Sequence, residues 1–171
     1  TEPITEAHPA RGIRAAPSGP SHPDLFLLCS SPESAAFAGA AGVGMVFAEF
    51  IARADGGPAV EAYRKAFAPS VFRQEPWAAT ATVALAADTA EEAERLAAPM
   101  RAGALANLDN ERRRFPTIPE AEAFLAEHRD DPRLASVLAR SIVGDGPSVR
   151  ERLMAKARDA NVDELFIMAV G

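Results

Sequence analysis

One cysteine among 171 residues excludes an internal disulfide framework and suits a reducing compartment, so the cytoplasm is the expected location. Histidine is nearly as scarce. His8, His22 and His128 are the only three, and none stands at ligand spacing from the cysteine or from another histidine. No metal site is expected. Long apolar runs are missing too. The uncharged stretch Ala35–Ala48 is broken by three glycines and falls short of the ~20 residues a membrane helix requires. The N-terminus shows no signal-peptide pattern, and it begins at Thr1 rather than at a methionine, so the reading allows for a segment before it. Basic residues are in deficit, 18 against 24 acidic ones, for a net charge of −6. Such a surface repels phosphodiester backbones and anionic bilayers, so neither nucleic acid nor membrane is an expected partner.

What is present is enough apolar sequence, 48% of the chain, for one core. Its organising stretch is Leu25–Ile51. Leu25–Leu28 is an unbroken apolar run, expected to be a strand buried on both faces of a parallel sheet. Ser31 then caps a helix, Pro32 suits its first position and Glu33 favours the positive end of its dipole. Gly42 is expected to end that helix in the left-handed conformation. A second strand follows at once. Three hydroxyls, Ser30, Ser31 and Ser34, therefore collect at the carboxyl end of the first strand. Parallel α/β folds bind ligands at that edge, and a helix N-terminus there accepts a phosphate.

Four strands are expected, at Leu25–Ser30, Met45–Phe50, Ala78–Ala86 and Glu164–Val170. They alternate with helices in the manner of parallel βα units. Residues 1–24, with five prolines, read as an irregular lead, with a short extended piece at Gly12–Ala16. Ala59–Phe67 has helical spacing, with Tyr63 and Phe67 as core and Pro69 as the stop. Thr89 with Glu92, and Thr117 with Glu120, have capping-box spacing. Met100 reads as a core filler. Residues 102–140 break the alternation as a helical insertion of lid size. It holds the charge run Asn110–Arg114, then helices expected to about His128 and over Asp131–Arg140. Gly144–Ser148 reads as a tight turn entering a helix over Val149–Ala160, since it lacks both the P-loop lysine and the dinucleotide spacing. Glu49, at the end of the second strand, either faces a ligand or forms an ion pair with an arginine.

Leu-Leu-Cys-Ser-Ser-Pro-Glu-Ser-Ala at Leu27–Ala35, with Gly-Val-Gly-Met-Val-Phe-Ala-Glu-Phe-Ile at Gly42–Ile51, resembles the luciferase-like flavin-dependent monooxygenases. That family reads Leu-Gly-Ser-Ser-x-x-Ser-Ala and then Gly-Leu-Pro-x-x-Phe-Ala. Tyr-Arg-x-x-Phe-x-Pro-Ser within Glu61–Ser70 is similar to the family as well. Cys29 stands at the usual glycine, and Val43-Gly44 replaces Leu-Pro. The resemblance implies that Ser30, Ser31 and Ser34 hold the phosphate of reduced FMN. It implies that residues 25–171 form the C-terminal half of a TIM (β/α)8 barrel, α/β in class. The implied function is a part of a monooxygenase that uses dioxygen on a small organic substrate. The implied partner is the missing N-terminal half or a second copy. No residue matches the family's catalytic histidine, so no catalytic residue is assigned. Other readings stay open: a truncated flavin-binding or structural fragment, a deazaflavin-dependent oxidoreductase of the same fold, and a barrel acting on a sugar or triose phosphate.

Overall fold

The computed structural model describes residues 7–9, 11–13, 23–52, 54–109 and 114–169. His22, most of the proline-rich lead, residues 110–113 of the charge run and Val170 lie outside the described residues. The chain forms five parallel strands: β1 (Phe26–Cys29), β2 (Gly44–Ala48), β3 (Ala78–Ala87), β4 (Ser141–Asp145) and β5 (Glu164–Ala169). The helices are α1 (Pro32–Ala40), α2 (Glu49–Ala52), α3 (Gly57–Ala66), α4 (Ala90–Ala106), α5 (Ile118–Glu127), α6 (Leu134–Leu138) and α7 (Gly146–Asp159). Among the described residues no helix is long and apolar enough to cross a membrane.

The four expected strands are all present, and β4 is an addition. Ser141–Asp145 is not part of a turn: it pairs in parallel with Val83–Ala87 of β3. The reading of Gly144–Ser148 as a turn is corrected accordingly. Asp145 ends the strand and caps α7, accepting from Ser148 N at 2.8 Å, so the helix starts at Gly146 rather than Val149. The second strand also stops earlier than expected, because Glu49 and Phe50 already belong to α2.

Long β3 is the hub. The β5 ladder covers Ala79–Ala84, the β2 ladder Ala78–Ala81 and the β4 ladder Val83–Ala87. A strand residue has one neighbour on each edge, so the shared residues place β5 opposite both β2 and β4. The strands β2 and β4 thus lie end to end along one edge of β3, with Thr82 between them. Alternation of side chains decides the rest. Met45 and Phe47 of β2 pack under α1 and α3 with Ala35, Ala38, Val60 and Tyr63. Further along β3, α7 covers Ala84 and Ile142 on one face, while α4 covers Leu85 and Val143 on the other.

The helices α1 and α3 approach so closely at Gly39 that a β-carbon there would stand 2.4 Å from the carbonyl oxygen of Tyr63. Gly42 has φ +64°, the left-handed conformation expected after α1. Tyr63 is fully buried, as its spacing predicts. The insertion is less helical than expected, with α6 reduced to Leu134–Leu138. Arg133 staples its far end to Asp109 and Asp131.

The first strand is a correction. Its apolar run is expected to be buried on both faces, yet Leu28 is 61% exposed and Phe26 44%. The reason is topological: among the described residues β1 pairs only with β2, nothing covers its far edge, and on its open face Trp77 and Arg73 reach Phe26 alone. The strand β5 is in the same position, with Ile167 54% exposed.

Candidate functional site at the carboxyl end of β1

The first strand ends at Cys29 and α1 begins at Pro32, which leaves Ser30 and Ser31 as the whole connection. Ser31 is the N-cap, with extended backbone, and its Oγ accepts from Ser34 N at 3.2 Å. Ser34 reciprocates. Its Oγ accepts from Ser31 N at 3.2 Å and Ser30 N at 3.3 Å, and donates to Ser31 O at 2.9 Å. The three serines therefore form a capping box in which a serine does the work usually given to Glu or Gln. The structure brings all three together, as the sequence spacing anticipates.

Negative charge is favoured next to this cap. The carboxyl group of Glu33 lies below its usual range, because its own backbone N–H and the Ser31 hydroxyl bond to its charged form. Glu33 stands in the first turn of α1, at the positive end of its dipole.

Cys29 points into the α1–α3 core, 2% exposed. Burial pushes its thiol up, and the Ser34 hydroxyl only partly opposes this. A raised thiol pKa means less thiolate at neutral pH. Labelling of the folded protein by a maleimide at pH 7 should run at least about a hundredfold slower than labelling in denaturant. Comparable rates would show that Cys29 is accessible and ionised.

Glu49 lies beside this site in the sheet, two residues past Phe47, whose ladder partner is Cys29. It is buried, and its Oε1 accepts from Lys156 Nζ at 3.0 Å and from Gly56 N at 3.3 Å. The ion pair has a lysine rather than an arginine. It lines a cavity of ≈ 240 Å³ that also includes Thr82, at the junction between β2 and β4. Lys156 is invisible to sequence reasoning, because it lies 107 residues away and pairing at that range leaves no local signal. Asp163 is a second miss: its carboxylate accepts from Ala78 N at 2.8 Å and from Arg64 at 3.1 Å, tying the start of β3 to α3. In the charge run, Arg114 bonds to Glu120. Among the described residues no group of three His, Cys, Asp or Glu side chains is placed to hold a metal ion.

The chain is 34% identical over 170 residues to the uncharacterized protein YwcH of Bacillus subtilis (strain 168), a match that covers 96% of this chain and 50% of that protein. It thus spans about half the length of the curated relatives it matches. Among solved structures it superposes on apo-MsnO8 with a TM-score of 0.77 at 28% identity, covering 93% of this chain and 49% of that one. A more distant match, at TM-score 0.56 and 21% identity, is the oxygenating constituent of 3,6-diketocamphane monooxygenase from Pseudomonas putida, solved in complex with FMN. It covers 86% of this chain and 42% of that one, and speaks to the fold alone. The description "luciferase-like monooxygenase" applies to residues 4–164, and the chain belongs to that family.

Proposed function

We propose that this chain carries the FMN phosphate site and one half of the barrel of a luciferase-like monooxygenase. The observation that carries this reading is the Ser30–Ser31–Ser34 cluster. It sits at the carboxyl edge of a parallel sheet and on the N-terminus of α1, where the charged form of the Glu33 carboxyl is favoured. When bound, reduced FMN supplies the electrons with which dioxygen oxygenates a small organic substrate. The residues of this chain bind and orient. The Ser30, Ser31 and Ser34 hydroxyls hold the phosphate, and the α1 dipole favours its charge. The open face of the sheet, with Phe26, Leu28, Phe166 and Met168, forms half of the apolar wall that keeps water from the ring.

Charge-assisted hydrogen bonds contribute about 1.5–3 kcal/mol each. Ser31→Ala combined with Ser34→Ala should therefore weaken FMN binding at least about tenfold in the complete barrel, read by flavin fluorescence titration. Riboflavin, which has no phosphate, separates this effect from loss of the helix cap. Its affinity should stay unchanged. An equal loss for both flavins would mean that α1 had frayed, and an unchanged FMN affinity would remove the serines from the site. Tighter binding of a deazaflavin than of FMN in the same titration would favour the deazaflavin reading.

A further inference from the structure

A second cavity lies away from the serine cluster, between the later turns of α4 and the start of α5. Its volume is ≈ 620 Å³, within the range of small-molecule sites. No residue of β1, α1 or the connection after β2 lines it. Its walls are apolar and partly aromatic: Met100, Phe115, Pro116 and Phe124. One wall is fixed in advance. The ring of Phe124 stacks on that of His128, with centroids 4.1 Å apart and an interplanar angle of 26°, and His128 Nδ1 lies 2.8 Å from Phe124 O. A wall held this way loses little freedom when a ligand docks. At Gly103 the cavity is open, since a β-carbon built there meets no atom within 4 Å.

Among the described residues, the polar side of the cavity carries one cation whose donors are mostly unspent. Arg114 bonds to Glu120 through Nη2, and among the described residues this is the only use of its five donors. Glu120 is occupied on its other side, where Oε2 accepts from Thr117 N and Thr117 Oγ1, each at 2.8 Å. The carboxylate therefore serves the cap of α5, and the guanidinium remains the group able to take a new partner.

We infer that this cavity binds a planar aromatic molecule bearing one carboxylate. The ring system packs against Phe115, Phe124, Pro116 and the Met100 sulfur, by aromatic and sulfur–aromatic contacts. The carboxylate bonds to Arg114, whose planar fork matches it. This site needs no flavin, and it stands or falls independently of the serine cluster.

The test uses 2-naphthoate as the probe and the chain's four methionines as reporters. Met100 lines the cavity, Met45 lies in the α1–α3 core, Met154 is on α7, and Met168 is on the open face of the sheet. With 13C-methyl-labelled methionine, 2-naphthoate should shift the Met100 signal saturably and leave Met168 unmoved. Gly103→Leu, whose β-carbon has open space and whose side chain enters the cavity, should weaken binding at least about tenfold while the thermal midpoint holds or rises. Arg114→Gln should weaken 2-naphthoate and leave neutral 2-naphthalenemethanol unaffected. Shifts confined to Met168, or affinity unchanged by Gly103→Leu, would overturn the site. Decanoate binding as tightly as 2-naphthoate would overturn the aromatic class of its ligand.

Discussion

Purified alone at micromolar concentration, the chain should scatter light as an assembly of at least two copies. The expectation rests on the two outer strands. Among the described residues each pairs on one side only, β1 with β2 and β5 with β3, which leaves two rows of backbone donors and acceptors. Natural edge strands are guarded by charge, proline or a bulge. Here β1 reads Phe-Leu-Leu-Cys with no charge, and β5 carries only Glu164 at its first position. The face between them is apolar as well. By register, Phe26 and Leu28 share it with Phe166 and Met168, and all four are exposed. Contiguous apolar surface of this kind recruits a partner. In the barrel reading that partner is the complementary half, and a second copy takes its place when the half is absent. Leu28→Lys combined with Ile167→Lys should shift the scattering mass towards a monomer. A wild-type monomer whose mass does not change with concentration would contradict the half-barrel reading.

The largest effect of a single substitution is expected at Tyr63, where phenylalanine should cost about 2–4 kcal/mol in urea unfolding. The side chain is fully buried between α1, α3 and the sheet. Its hydroxyl donates to Val43 O at 2.9 Å and accepts from Trp77 N at 3.0 Å. One oxygen thus links the segment entering β2 to the segment entering β3. Removing it leaves two backbone groups without partners while the ring volume stays the same, so the loss measures the hydrogen bonds rather than a cavity. The phenol should also titrate above its ordinary range, because burial raises it more than the bond from Trp77 N lowers it. A loss below about 1 kcal/mol would show that water replaces the hydroxyl at both groups.

What the sequence made legible was local. The boundary between β1 and α1 is written in three choices, Ser31 as cap, Pro32 at the first turn and Ser34 at the reciprocating position. Each acts on the backbone within four residues, so local spacing is enough to place the serine cluster. The same holds for Gly42 and for the Thr117–Glu120 cap. The strand β4 was not legible. Ser-Ile-Val-Gly-Asp is short and ends in turn-forming residues, and it is a strand because the far end of β3 offers it an edge. The exposure of β1 was misread for a related reason. An apolar run reports the burial a strand requires, whereas the surface that buries it is supplied from elsewhere. Glu49 and Lys156 are joined only by the fold, and no spacing rule reaches across the intervening chain.

The end-to-end seating of β2 and β4 along β3 has a consequence for which insertions and deletions this chain tolerates. Within residues 102–140, the connection between α5 and α6 lies at the surface, so a residue gained or lost there shifts a loop and little else. In β3 the outcome is different. One residue added near Thr82 leaves the first half of the strand in place and turns the second half over, because side chains alternate with a period of two. Leu85 would then face α7 and Ala84 would face α4, while Ile142 and Val143 of β4 keep their own faces, so both packed layers would lose their β3 partner together. Lineages carrying this chain should vary more freely in the length of that connection and hold the ten residues of β3 to a constant count.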